Sequence, residues 1–156
     1  MGKQLMGKQP IIRHAGEGTR NGAFGLPRVF KVTPDETDGA LALWEEDIPE
    51  NVGPPLHVHH GQHEVFVVLK GRVLFHCDGT EVEMGEGGVV CVPPDTPHTF
   101  KGIGPGTSRC LVTLTPGAGA GFFTAVEAEA LNPADHMPRI VEIGAAHGLE
   151  FVGPPL

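Results

Sequence analysis

The sequence predicts an all-β fold: a double-sheet jelly-roll barrel (a double-stranded β-helix) with short C-terminal helices. Three observations predict it. Gly 23 and Pro 15 in 156 residues exceed ordinary usage and suit many short strands joined by tight turns. From Glu64 the chain reads EVFVVL, a turn at Lys70-Gly71, RVLFHC, a turn at Asp78-Gly79, TEVEM, a turn over residues 85–87, then GVVCVP. Each run has strand length, and Asp-Gly is a strong hairpin signal. After Pro116 the pattern turns to helix formers. A meander of this length must close its edges, and two stacked sheets with a cavity between them do so.

In chain order, MGKQ at residues 1–4 recurs at 6–9 and is assigned no function. Met6, standing where a myristoylation signal has Ser or Thr, argues against lipidation of Gly2. Residues 9–14 suit an edge strand, with Pro10 tolerated only there, and the glycine-rich residues 16–25 read as a loop. PRVFKVT at residues 27–33 alternates apolar and basic side chains, and GALALWE at 39–45 reads as a strand buried on at least one face. Residues 34–39 form an acidic turn, and 45–55 an acidic loop in which Pro54-Pro55 stiffens the approach to His57. Strands follow at residues 98–101 and 108–115. Residues 117–121 read as a flexible joint, 122–131 and 137–146 as helices, and the last nine residues as a segment laid along the barrel or a partner subunit. The division is an N-terminal arm and loop (1–26), a barrel (27–116) and a helical tail (117–156).

The net charge of −8 repels phosphate backbones and anionic membrane surfaces, which argues against nucleic acid and lipid partners. Cys77, Cys91 and Cys110 are odd in number and lie in apolar runs, so they read as reduced core residues without a CxxC metal pair. No apolar run approaches membrane-span length and the first residues lack a signal-peptide apolar region, so a cytoplasmic location is expected.

The chemistry concentrates in residues 53–71, GPPLHVHHGQHEVFVVLKG. His57 and His59 are two apart, so on an extended chain both rings face the same way. Gly61 permits a turn, and Glu64 opens the next strand on a row with Phe66 and Val68. Imidazoles and a carboxylate suit a divalent transition metal such as iron, manganese, nickel, cobalt or zinc. A fourth ligand has to come from elsewhere, and residues 87–100, GGVVCVPPDTPHTF, supply one histidine, His98.

Together the two stretches resemble the cupin family. The first cupin motif, HxHx4Ex6G, is met by His57, His59, Glu64 and Gly71. The second, Gx5PxGxxHxxxN, is met by Gly87, Pro93 and His98, with Asp95 in place of glycine and Gly102 in place of asparagine. Gly53 stands four before His57, where the family usually has six. The motifs cover about a third of the chain. The resemblance implies His57, His59, Glu64 and His98 as metal ligands. The tail, with Gly-Phe-Phe opening a helix and a GPPL ending, resembles the bacterial quercetinase-like cupins.

Among the remaining residues, Phe66 and Phe100 are expected to form an apolar wall of the substrate pocket, and Phe75 plain core. His63 is expected to hydrogen-bond a ligand or stand in reserve for one, and His60 to face solvent. Without a tyrosine, the general base would be Glu64 or a neighbouring histidine. The resemblance implies a dioxygenase-like oxidoreductase acting on a small oxygenated aromatic or dicarbonyl compound. A metal-dependent isomerase or cyclase and a non-catalytic metal-containing binding protein are the alternatives, because one fold hosts all three. The resemblance and the apolar termini imply a homodimer.

Overall fold

Alternating inward and outward side chains build two antiparallel sheets that face each other across one core. The computed structural model describes residues 9–156; the MGKQ repeat, apart from Gln9, and the Gly2 reading lie outside the described residues. The strands are β1 (Thr19–Asn21), β2 (Arg28–Val32), β3 (Ala42–Ile48), β4 (His57–His59), β5 (His63–Lys70), β6 (Val73–Cys77), β7 (Thr80–Met84), β8 (Val89–Val92), β9 (His98–Gly102), β10 (Ser108–Thr115) and β11 (Leu149–Phe151). One sheet has the order β1-β2-β3-β10-β5-β8, the other β11-β4-β9-β6-β7. Two helices, α1 (Gly121–Ala128) and α2 (Pro133–Ala146), lie between β10 and β11 in the chain. The architecture is the jelly roll with short C-terminal helices that the sequence predicts.

Period-two patterning explains the core. In β3 the buried row is Ala42, Trp44, Glu46 and Ile48; in β5 it is Glu64, Phe66 and Val68. Phe66 meets Phe75 and Phe100 edge-on, each at 5.2 Å between ring centroids, a favoured aromatic geometry. A second cluster, Phe122, Val126, Ile140, Ile143 and Leu149, holds the helices down, and Phe24 and Phe123 pack against both clusters.

Several elements differ from the sequence expectation. Residues 9–14 form no strand, because β1, inside the expected loop, occupies the edge of β2 through the pairs Thr19↔Phe30 and Asn21↔Arg28. The expected loop at 45–55 begins as strand: β3 runs on to Ile48 because Arg28 meets the charge of inward-facing Glu46. Residues 117–121 are a packed turn, with Gly119 buried and the Gly117 amide donating to Gly39 O at 2.8 Å. Helix α2 starts four residues early, since Asn132 caps the Asp135 amide at 2.9 Å and Pro133 takes the first turn. The tail adds β11 to a sheet edge.

The N-terminal segment is fastened by Arg13, which donates to Glu36 at 3.0 Å and to the Lys31 carbonyl. The Arg13 hydrogen bond, then the Thr33 amide, pulls the Glu36 carboxyl down to about 2. A depressed carboxyl stabilises the fold above its unfolded value and loses that contribution as pH falls through its folded value. Urea unfolding of Glu36→Gln should therefore show a deficit of about 0.5–1 kcal/mol at pH 6, as befits a partly exposed pair, shrinking toward zero near pH 2. A deficit independent of pH would assign the loss to packing instead.

Candidate metal centre

Each sheet contributes to one cluster. His57 and His59 face inward from β4, and His98 opens β9, where it pairs in register with His57. Glu64 comes from β5 in the opposite sheet, placed inward by its parity with Phe66. All four are buried, and one potential ligand atom from each lies within 4.8 Å of every other. Ring centroids of His57 and His98 are 4.4 Å apart, and those of His57 and His59 5.1 Å. Donors about 2.0–2.2 Å from an ion lie at most about 4.0–4.4 Å from one another, so less than about 1 Å of adjustment separates this cluster from a closed coordination set.

The hydrogen bonds orient the rings. His57 Nδ1 is 2.8 Å from Pro55 O, and His98 Nδ1 is 2.8 Å from Thr96 O. A carbonyl only accepts, so in both rings Nδ1 is the donor and the lone pair of the neutral ring sits on Nε2. Glu64 bridges the sheets, with Oε1 3.1 Å from His98 Nε2 and Oε2 3.2 Å from His59 Nε2. His59 Nδ1 is buried without a hydrogen-bond partner among the described residues. Burial, then the neighbouring His98 and His59 rings, pushes His57 down to about 3, which keeps it a neutral donor. Burial opposes charge on Glu64, but the His59 and His98 contacts outweigh it and hold the carboxyl well below its ordinary range. Burial likewise opposes a proton on His98, and the bond to Glu64 outweighs it, raising that ring. An imidazole trio and an ionised carboxylate with an unsatisfied buried nitrogen are a donor set that a divalent cation fits.

A family model described as a cupin domain matches residues 44–114. By that match, residues 44–114 form a cupin domain. It is 33% identical over 63 residues, 40% of this chain, to an uncharacterized protein of Methanocaldococcus jannaschii. It is 25% identical over 117 residues, 75% of this chain, to quercetin 2,3-dioxygenase of Bacillus subtilis. The matches span 50% and 34% of those relatives' own lengths, so the chain covers half of them or less. Its fold is similar to that of a predicted oxalate decarboxylase from Thermotoga maritima, with TM-score 0.60 at 19% identity over 67% of this chain and 97% of that one.

Within that domain the two motif departures have local reasons. Asp95, at the usual glycine, has φ 63°, a left-handed conformation that Asp tolerates better than most residues. Its carboxylate also accepts from His60 Nδ1 at 2.9 Å. Gly102, at the usual asparagine, has no room for a side chain, since a Cβ there would lie 2.6 Å from Pro49 O.

Phe66 and Phe100 line a cavity that includes His57, His59 and Glu64. Phe75 is buried in the core and does not line it. The expectation for His63 is corrected: it is exposed at the start of β5, its parity opposite to that of Glu64, and the ligand rings take their outer bonds from the Pro55 and Thr96 carbonyls. His60 is exposed, as expected, and bridges Asp95 and Glu150. Sequence reasoning missed Arg28, Trp44, Glu46 and Phe123, which line the same cavity. The available signals were parity with Phe30 in PRVFKVT for Arg28, and parity with Trp44 for Glu46.

The approach to His57 passes under β9 at Gly53, where a Cβ would collide with the Phe100 carbonyl oxygen. Gly53→Ala must push β9, and His98 with it, away from β4. We expect a loss of about 1–3 kcal/mol in stability, typical of overpacking, together with metal affinity weakened at least tenfold, read by competition with a chromophoric chelator. Unchanged affinity alongside reduced stability would show that His98 does not move with β9.

Proposed function

We propose that the protein is a mononuclear metal enzyme acting on a small oxygenated aromatic or dicarbonyl compound, with dioxygenase chemistry as the best-supported reaction class. The observation that carries this reading is a buried cluster of His57, His59, Glu64 and His98 beside a cavity walled largely by aromatic rings. The similarity to quercetin 2,3-dioxygenase over three-quarters of the chain supports that class.

The four side chains would hold the ion through three imidazole nitrogens and one carboxylate. A divalent transition ion bound there, iron, manganese, nickel, cobalt or zinc, supplies a Lewis acid that polarises a substrate oxygen. The Pro55 and Thr96 carbonyls fix the rings of His57 and His98, which spares them reorganisation on binding. Phe66 and Phe100 keep bulk water from the reacting oxygen and strengthen the electrostatics there. Glu64 is the candidate general base. Held ionised by His59 and His98, it takes a substrate proton only when those contacts loosen.

Protein purified without chelator or affinity metal should carry about one equivalent of a transition metal by elemental analysis. His59→Ala, which removes a ligand nitrogen, and Glu64→Gln, which replaces the anionic carboxylate by a neutral and weaker amide donor, should lose most of it, whereas His63→Ala should keep it. Retention by His59→Ala would remove the proposed ligand set. Restoring metal to the chelated protein at 100-fold over its Kd should add about 2.7 kcal/mol of stability.

Oxygen uptake with flavonols, catechols and diketones, after loading each candidate metal, tests the reaction class. No turnover with any metal across the panel removes the dioxygenase reading. Product formed under strict anaerobiosis transfers it to a metal-dependent isomerase or cyclase.

A further inference from the structure

The same cavity contains a buried ion pair that the metal chemistry leaves unused. Arg28 is 2% exposed and Glu46 3%. Arg28 Nε donates to Glu46 Oε2 at 3.2 Å, and Trp44 Nε1 donates to the same oxygen at 2.8 Å. Arg28 Nη1 donates to Asn21 Oδ1 at 2.6 Å, and the guanidinium lies 3.9 Å from the centroid of the Phe123 ring. Nη2 is buried and has no hydrogen-bond partner among the described residues.

A purely structural pin between β2 and β3 is the plain alternative, and it explains these contacts poorly. A buried ion pair generally stabilises a fold no better than packed apolar side chains of similar volume. A guanidinium nitrogen left buried and unpaired adds a further desolvation cost. What the arrangement does achieve is a rigid planar donor, held at Nε, at Nη1 and on one face, with Nη2 left unpaired on a residue that lines the cavity holding His57, His59 and Glu64.

We propose that Arg28 is the anion-recognition group of this cavity, its Nη2 donating to a carboxylate or enolate oxygen of an aromatic substrate whose other oxygen meets the metal. The proposal rests on reading the cavity as the substrate site and narrows the substrate class to aromatic monoanions. A divalent ion facing Glu64, and Arg28 facing Glu46, leave the cavity net positive, which favours an anion over a neutral isostere. Burial, before the opposing pull of Arg28, raises the Glu46 carboxyl. Phe123 and Trp44 supply faces against which a ring can lie.

The test compares salicylate with its neutral isostere salicylamide, using the Co(II)-loaded protein and the quenching of its single tryptophan, Trp44, which lines the cavity. Wild type should bind salicylate at least tenfold more tightly, the scale of one charge-assisted bond. Arg28→Lys, which keeps the charge, should retain part of that preference. The double variant Arg28→Met with Glu46→Met leaves no buried orphan charge and should lower the preference about tenfold, with salicylamide affinity little changed. Equal affinities in wild type, or a preference as large in the double variant as in wild type, would overturn the proposal. The Co(II) absorption bands report the metal site separately. Bands present with neither probe bound would overturn the anion clamp and leave the metal reading standing. Bands absent, with salicylate still preferred and that preference lost in the double variant, would remove the metal reading and keep the clamp.

Discussion

Everything at the centre of this molecule depends on one carboxylate reaching across the gap between two sheets. Glu64 belongs to β5, while His57, His59 and His98 belong to β4 and β9 of the facing sheet. Its two oxygens touch His98 and His59 separately, so the contact bridges the sheets as well as forming part of the donor set. A charge buried this deeply persists only where its partners outweigh the cost of leaving water. Here two imidazoles do so in the protein itself. A cation with greater charge density can take their place, because the carboxylate is already ionised and the His57 ring is already neutral.

How much of this could be read from the chain varies with the physics involved. The jelly roll was legible because period-two patterning and glycine turns are local signals, and they recur from Glu64 onward with little interruption. The convergence of the four-residue cluster was legible because His57 and His59 share a face by spacing alone, while His98 entered through the motif in residues 87–98. Element boundaries fared worse where a charge sat on an inward row. Glu46 looked like the start of an acidic loop, because nothing local to β3 announces Arg28, eighteen residues earlier, as its partner. Residues 9–14 looked like a strand because edge strands have weak patterning; competition between β1 and that segment for the edge of β2 is a tertiary matter. The His63 expectation failed on parity. One position from Glu64 means the opposite face of the strand, however near the residues stand in the chain.

Two polar constellations share one apolar cavity, and they are built on different principles. At the metal cluster, donors from both sheets converge and their unused nitrogens are tied to backbone carbonyls or left bare. At Arg28 a cation already has a carboxylate, an amide oxygen and an aromatic face, and still has an edge to spare. Between them lie hydrophobic rings that offer no hydrogen bonds. A ligand that satisfies both ends therefore needs oxygens at separate points on a flat apolar frame, a narrower specification than either constellation imposes alone.

The C-terminal segment connects access with geometry. Strand β4 is three residues long and pairs with β9 only through His57↔His98, too little to hold two ligand rings in register. On its other side β11 supplies three further pairs, Leu149↔His59, Glu150↔Val58 and Phe151↔His57. The same strand places Leu149 and Phe151 in the cavity wall, with the Phe151 ring 6.5 Å from that of His57. Helix α2 packs on β11 through the cluster that includes Ile143 and Leu149. Any movement that opened the cavity by lifting this strand would also free β4, and the positions of His57 and His59 would slacken with it. Lifting β11 and loosening the donor set would thus be coupled through three backbone pairings.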